Sequence, residues 1–375
     1  LDGISPAERK ANEGAQRIMH CDVRQLARAF ERKRYAAFVL GGDIGGTNIN
    51  FAIAGITKKR DVDLLATLHF KTSEHASLVK PITRALDEAK SRFGISPHWA
   101  AIGVAGAISD QNKPIRMTNA KLVIRRRELL AKTQLQKLRI LNDFEIIGHA
   151  VNVPALQKGG IRAIRSVKGK HTKNAVKAII GAGTGLGKSI LLFDECHMAH
   201  VPIKSEGGHA EFPAQSAEEL ALLHFIKKRR SIKGPVEWED LVSGRGIAGI
   251  YAYLRQKRKH IATVATKAID SARAGKPALI SLYRKKDRLC REAFELFASY
   301  YARCARNFAL ETLCYSGLYI AGGIAAKNSD LFLSRRFVEE FQASDTLAQE
   351  LRKIPLFLIT NYSQSLYGAC FAAAL

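Results

Sequence analysis

Short apolar runs that end in glycine, separated by charged stretches, organise this chain. YAAFVLGG, from Tyr35 to Gly42, is nearly all apolar and suits a buried strand. In NINFAIAG, Ile49, Phe51 and Ile53 alternate with Asn50, Ala52 and Ala54, so a second strand follows a Gly-rich turn and the unit reads as a β-hairpin. The pattern recurs about 140 residues later. There AVKAIIGAG is a strand, TGLG a turn and KSILLFDE a second strand ending at Asp194. KPITRALDEAKSRFG reads as a helix with a glycine stop, and WAAIGVAGAI as a strand. LQKLRILND ends a strand at Asp143, after which FEIIGHAVNV begins a helix. SAEELALLHFIKKRR is a helix with Ser216 and Glu219 as a capping box and a basic last turn that suits the dipole. A long helix over residues 286–312 precedes the strand GLYIAGGIAA. Residues 5–35 read as an amphipathic helix, with Ile18, Val23, Leu26, Ala27 and Phe30 near helical spacing. That segment is expected to lie on the core as an extension; a membrane-surface helix is the alternative. Alternating helices and strands predict an α/β fold. Two strand–turn–strand units predict a duplicated one, with a nucleotide in the cleft between phosphate-binding hairpins.

GAGTGLGKS, residues 181–189, nearly matches a second class of phosphate loop, but Ala182 stands where that pattern begins with glycine. Such a loop needs a helix starting at the Lys-Ser, because the helix N-terminus binds the phosphates. SILLF is short, uniformly apolar and ends at an Asp-Glu turn, so the hairpin reading is preferred.

With 375 residues and 47% hydrophobic content, the chain is long enough for two or three domains with substantial cores. No run approaches the roughly 18 apolar residues of a membrane span, and the polar N-terminus lacks a signal-peptide core. A cytoplasmic protein without membrane partners is therefore expected. Six cysteines without a C-x-x-C pair suit reduced thiols. The net charge of +25 attracts polyanions, yet its basic runs are short and scattered. Solvated helix faces explain them better than a nucleic-acid partner does.

Asp143 stands at the carboxyl end of a predicted strand, where ligands bind in open α/β sheets, but it would serve equally as a helix N-cap. Its neighbour Asn142 suits a ligand contact or a turn. SEGGHAEF presents Glu206 and His209 around two glycines, an arrangement suited to sugar hydroxyls or to a plain polar loop. Cys196, His197 and His200, with His209 nearby, match no standard zinc spacing. Glu237, Glu239 and Asp240 form a charged first helical turn before Ser243-Gly244. In YIAGGIAAKN, small residues at a Gly-Gly turn let an adenine or ribose lie against backbone.

Taken in order, GGDIGGTN, GVAGAI, MTNAKLVI, LNDFE, IIGAGTGLG, SEGGHAEF, VSGRGI and IAGGIA resemble the bacterial-type ATP-dependent glucokinase family of the actin/hexokinase/Hsp70 ATPase superfamily. The resemblance covers residues 38–375 and implies a duplicated ribonuclease H-like, two-domain α/β fold with an interdomain active-site cleft. On that reading residues 1–36 are a helical extension, 37–142 a small α/β domain and 143–359 a large one, with a C-terminal helix at about 360–375 returning to the small domain. The implied activity is ATP-dependent phosphorylation of the 6-hydroxyl of glucose, with Mg²⁺, in a homodimer. Asp143 matches the catalytic base. Asn119, Asn142, Asp143, Glu206, His209 and Glu239 match sugar-binding positions. Gly42, Asp43, Ile44, Gly45, Gly46 and Thr47 match the first phosphate loop; Gly183, Thr184 and Gly185 match the second. Gly322 and Gly323 match the adenosine turn, and Asp43 is implied to orient Mg²⁺ through water.

The chain departs from the family at Ala107, usually Pro, and at Lys188, usually small or apolar; Lys188 points either to the phosphates or to solvent. AKLVIRRREL lacks the usual Pro-Trp, which leaves glucose, mannose and glucosamine open. The C-x-C-G-x-x-G-C zinc motif of the related repressor/kinase group is absent, which points away from that group. Two other classes remain as alternatives, a sugar-binding regulator on a kinase-like fold and a P-loop-type NTPase.

Overall fold

A computed structural model describes residues 21–27, 29–106, 108, 110, 112–117, 121–167, 174–257 and 262–375. Its strands are β1 (Asp22–Gln25), β2 (Tyr35–Ile44), β3 (Asn48–Thr57), β4 (Val62–Lys71), β5 (Trp99–Val104), β6 (Ile115–Arg116), β7 (Val123–Ile124) and β8 (Lys137–Asn142). Then follow β9 (Ile161–Arg165), β10 (Lys177–Ala182), β11 (Leu186–Asp194), β12 (Ala199–Ser205), β13 (Leu318–Ala321) and β14 (Leu356–Ile359). The first sheet runs β1-β4-β3-β2-β5-β8 and the second β12-β11-β10-β13-β14-β9; β6 and β7 form a separate ribbon. In each large sheet an antiparallel three-strand meander adjoins two parallel strands. Leaving out the edge strands β1 and β9, the two orders superimpose element for element. The repeated strand–Gly turn–strand pattern is therefore the trace of a duplicated fold of the actin/hexokinase type.

The helices follow their apolar spacing. Val79–Phe93 turns Ile82, Ala85, Leu86, Ala89 and Phe93 inward and stops at Gly94, whose φ of 64° lets its N–H reach Lys90. Ser216 caps Ala217–Arg230 by accepting from the Glu219 N–H, but Glu219 takes the Gln215 N–H and pairs with Arg303, so the reciprocal half of the expected box is missing. Arg288–Thr312 carries Phe294, Phe297, Tyr301 and Phe308 into the second core. The Tyr301 hydroxyl donates to the Ile180 carbonyl at 3.0 Å and accepts from the Ala182 N–H at 3.2 Å, fixing the base of the second hairpin.

One element departs from the sequence expectation. Residues 22–25 are a strand and not part of a helix: they pair antiparallel with β4, whose open edge outweighs the weak helical spacing. The part of that predicted helix before residue 21 lies outside the described residues. All six cysteines are free, and Cys196 is exposed. No described helix is long and apolar enough to cross a membrane.

Two helices join the sheets. Asp143–Ala150 leaves β8 of the first sheet and lies on β11 and β12 of the second. Gln364–Ala373 follows β14 and lies on β2 and β5 of the first. The helices cross at Gly368, where a Cβ would overlap the Ile146 carbonyl oxygen. Only glycine allows this approach, and it sets the position of the start of the Asp143 helix.

Candidate active site

Two adjoining cavities lie between the sheets, and a third continues from them along the second sheet's helices. One of about 590 Å³ is bordered by Gly45, Gly46, Asn142, Asp143, Glu206 and His209, among others. A second, of about 310 Å³, contains Asp43, Asp143, Gly183, Gly322, Gly323 and Ser365. A third, of about 640 Å³ and largely apolar, runs past Thr184, Gly323, Ile324 and Leu282. Asp143 borders the first two, and Gly183 borders all three. The cleft is thus a polar end, a narrow middle and an apolar end, the sequence of environments that a sugar, a triphosphate and an adenosine require.

Asp143 sits at the joint. The sequence left open whether it caps a helix, and the geometry decides this. Asn142 is the cap: its Oδ1 accepts from the Phe144 N–H at 2.7 Å, and Glu145 Oε2 accepts from the Asn142 N–H at 2.7 Å. The Asn142 amide also donates to the Gly106 carbonyl at 3.0 Å. The Asp143 carboxylate accepts the adjacent Phe144 N–H, at 3.0 Å on Oδ1, and its own backbone N–H; both are local contacts and neither pairs it with a cation. Burial, then the charges of Asp43 and Glu206, push its pKa up to about 6. On the catalytic-base assignment that the resemblance implies, Asp143 must be unprotonated, so kcat/KM should fall below about pH 6 with an acid limb of slope one. In a pH–rate profile, an acid limb near the ordinary carboxylate value would contradict this account.

Asp43 ends β2, where Ser365 Oγ donates to its Oδ2 at 2.7 Å, and burial raises its pKa. Two neighbouring carboxylates are thus held at one cleft, and burial is the largest influence on each. A hard oxygen donor of this kind fits Mg²⁺. Gly45 and Gly46 line the polar cavity, and nothing lies within 4 Å of a Cβ built at Gly46 or Gly183, so phosphate oxygens can approach backbone there. Gly42 and Ile44 face the other way: Gly42 is wedged between Ile102 and Phe51, and Ile44 is fully buried in the first core. At Gly322, φ is 92° and a Cβ would overlap the Ala182 carbonyl, so the turn after β13 needs glycine.

Glu206 and His209 flank a short 3-10 turn at the polar end. His209 Nδ1 lies 2.7 Å from Glu237 Oε2, and that hydrogen bond raises the imidazole pKa. Glu239 Oε2 accepts from the Leu186 N–H at 2.8 Å, while Oε1 pairs with Arg245. Asn119 and Ala107 lie outside the described residues. Sequence reasoning missed Ser365 and the orienting role of Glu237, which only the fold brings to their partners. Glu237→Gln keeps an oxygen for the helix cap but weakens the hold on His209. On the sugar-binding assignment that the resemblance implies for His209, it should raise the sugar KM about tenfold and leave kcat within about threefold, by steady-state kinetics.

Lys188 does not point to solvent, and it borders the polar cavity from beneath the Gly207 turn. It is 3% exposed, its Nζ lies 5.0 Å from the Phe308 ring centroid, and it hydrogen-bonds Cys304. It sits on β11, so no helix begins at Lys188-Ser189 and the P-loop geometry is absent. Lys188→Met should therefore retain kinase activity within about fivefold; loss on the scale of a phosphate-binding lysine would contradict this placement. His197 Nδ1 is held by Asp194 at 2.8 Å and His200 Nε2 lies 2.9 Å from the Ala175 carbonyl. Among the described residues no three His, Cys, Asp or Glu side chains group to hold a metal.

Comparison with known proteins matches residues 40–375 to the family model Glucokinase. A glucokinase from a Nostoc species is 31% identical over 352 residues, covering 90% of this chain and 98% of that protein. The crystal structure of a glucokinase from an Antarctic psychrotroph aligns with a TM-score of 0.73 at 25% identity, over 90% of this chain and 98% of its own. A ROK-family glucokinase from Streptomyces griseus, solved with glucose and AMPPNP, shares the fold with a TM-score of 0.59 at 17% identity, over 90% and 99% of the two chains.

Proposed function

The chain belongs to the glucokinase family, and from that premise we propose how its own residues perform sugar phosphorylation. Asp143 takes the proton of the glucose 6-hydroxyl as that oxygen attacks the γ-phosphorus of ATP. The bond from the γ-phosphorus to the β,γ-bridging oxygen breaks, ADP leaves with its electron pair, and glucose 6-phosphate forms. One observation carries this assignment: Asn142 caps the helix, so the Asp143 carboxylate is left at the point where the polar and narrow cavities meet.

The other roles follow from position. Asn142, Glu206, His209 and Glu239 bind the sugar hydroxyls at the polar end, and Asn119 is assigned there on the family motif. Gly46, Thr47, Thr184 and Gly185 offer backbone N–H groups to the triphosphate, while the Gly45 and Gly183 N–H groups close their own turns on the Asn48 and Gly185 carbonyls and leave open space beside Gly46 and Gly183. Gly322 and Gly323 receive the adenosine beside the apolar cavity. Asp43 would hold Mg²⁺ through water, and the ion supplies charge neutralisation on the β- and γ-phosphates. We take residues 37–142 as the small domain and 143–359 as the large one, closing about the Gly368 crossing to exclude water. The proposal includes a homodimer, which light scattering tests as a particle of twice the chain mass.

A panel of glucose, mannose and glucosamine with Mg-ATP tests the substrate. Sugar-dependent ADP release with the highest kcat/KM for glucose is expected. No hexose-dependent release at all would sink the proposal.

A further inference from the structure

A cavity of about 370 Å³ lies outside the transfer cleft, among the helices Ala217–Arg230, Gly244–Lys257 and Lys276–Tyr283. Arg229, Arg230, Arg245, Arg255 and Lys276 border it, against the carboxylates of Asp240 and Asp270. Arg230 pairs with Asp240, Arg245 comes within 3.8 Å of the same group, and Arg255 reaches Asp270 at 3.5 Å. Glu239 also pairs with Arg245, so five cations meet three carboxylates and leave a local excess of positive charge. Ile226, Ile269 and Ile280 supply apolar wall, and a charged concavity with low-dielectric walls focuses its field on a counter-ion. Tyr251 also lines this cavity; the residue is 3% exposed, and its hydroxyl is buried without a hydrogen-bond partner among the described residues. A buried hydroxyl left unsatisfied is costly. The volume is within the range of small-molecule sites and suits a phosphate group with a small organic body.

We propose that this cavity is a binding site for a phosphomonoester or orthophosphate dianion, and that its occupancy is communicated to the sugar site through Arg245. The route is short. Arg245 borders the cavity and pairs with Glu239 Oε1, while Glu239 Oε2 holds the Leu186 N–H beside the second phosphate turn. An anion that draws the guanidinium away removes one of the two partners that hold this carboxylate. The coupling, though not the site, rests on the reading of Glu239 as a sugar ligand.

Calorimetric titration with orthophosphate and with glycerol 3-phosphate, on the apo protein and on protein saturated with glucose and AMPPNP, tests the site. At least one of the two should bind both forms. Arg229→Ala/Lys276→Ala should weaken that binding at least tenfold while keeping basal kcat within twofold. Binding of both probes assigns the phosphate dianion alone as the recognised group, and binding of the ester only assigns a role to its organic body. In the wild type, a saturating probe should raise the glucose KM at least threefold with kcat within twofold, and in the double variant it should not. Absence of binding, binding confined to the apo form, or binding undiminished in the double variant would overturn the site. Binding with an unmoved glucose KM would support the site and overturn the coupling through Glu239.

Discussion

Asp143→Asn is expected to lower kcat about 10³-fold while changing the glucose KM by no more than about threefold. The amide has the carboxylate's shape and can accept the same Phe144 N–H, but it cannot take a proton. Asn142 continues to cap the helix, so the backbone should not move. The same substitution should stabilise the protein. In the fold Asp143 has a pKa of about 6, above the 3.8 of an ordinary Asp, so the folded state binds its proton more tightly than the unfolded state does. The group therefore favours folding most at low pH, and this contribution is lost as pH rises through 3.8 to 6. Above pH 6 the buried charge costs on the order of 1–3 kcal/mol, which the amide avoids. Thermal melts at pH 7.5 should show a higher Tm for Asp143→Asn. A variant both slower and more stable marks a residue kept for chemistry; a variant slower and less stable would mark a structural one.

Gly368→Ala is expected to cost several kcal/mol of stability and about 10² in kcat. Gly-to-Ala in a helix ordinarily gains about 1 kcal/mol of propensity, so a net loss must come from packing. Here the added methyl overlaps the Ile146 carbonyl oxygen at the crossing of the two connecting helices. Overpacking of this kind costs about 1–3 kcal/mol or more, and relief requires the helices to separate. Asp43 is tied to Ser365 in the first turn of one of these helices, and Asp143 begins the other. A displacement of about 1 Å between them is enough for a 10²-fold loss. Gly159→Ala is the control, because nothing lies within 4 Å of its added Cβ. Denaturant titration and steady-state kinetics on both variants check the pair; a Gly368→Ala protein as stable and active as the control would refute the role of the crossing.

The hairpins were legible because alternation and a glycine turn are local features. The same holds for Arg288–Thr312, whose aromatic spacing is helical over many turns. What was lost depended on neighbours. β4 is buried on both faces and slips register against β3 between Ile53 and Ala54, so its sequence does not alternate. β12 contains Pro202, which is tolerated because this strand is at the edge of its sheet. Asp22–Gln25 reads as helix until the open edge of β4 is present. At the site, the LNDFE motif supplies two adjacent residues able to cap a helix, and only coordinates show that Asn142 does so. Ser365 lies 322 residues from Asp43 and Glu237 lies 28 from His209, separations over which a single sequence carries no contact signal. Lys188, which a motif scan places on a phosphate, is turned into the core by the period of β11.

The most direct measurement is the stoichiometry of transfer: glucose 6-phosphate formed and ADP released, counted together in the wild type and in Asp143→Asn with Mg-ATP and glucose. The account predicts one sugar phosphate per ADP in the wild type and a parallel loss of both products in the variant. ADP released without sugar phosphate, or a variant that forms both products at the wild-type rate, would contradict it.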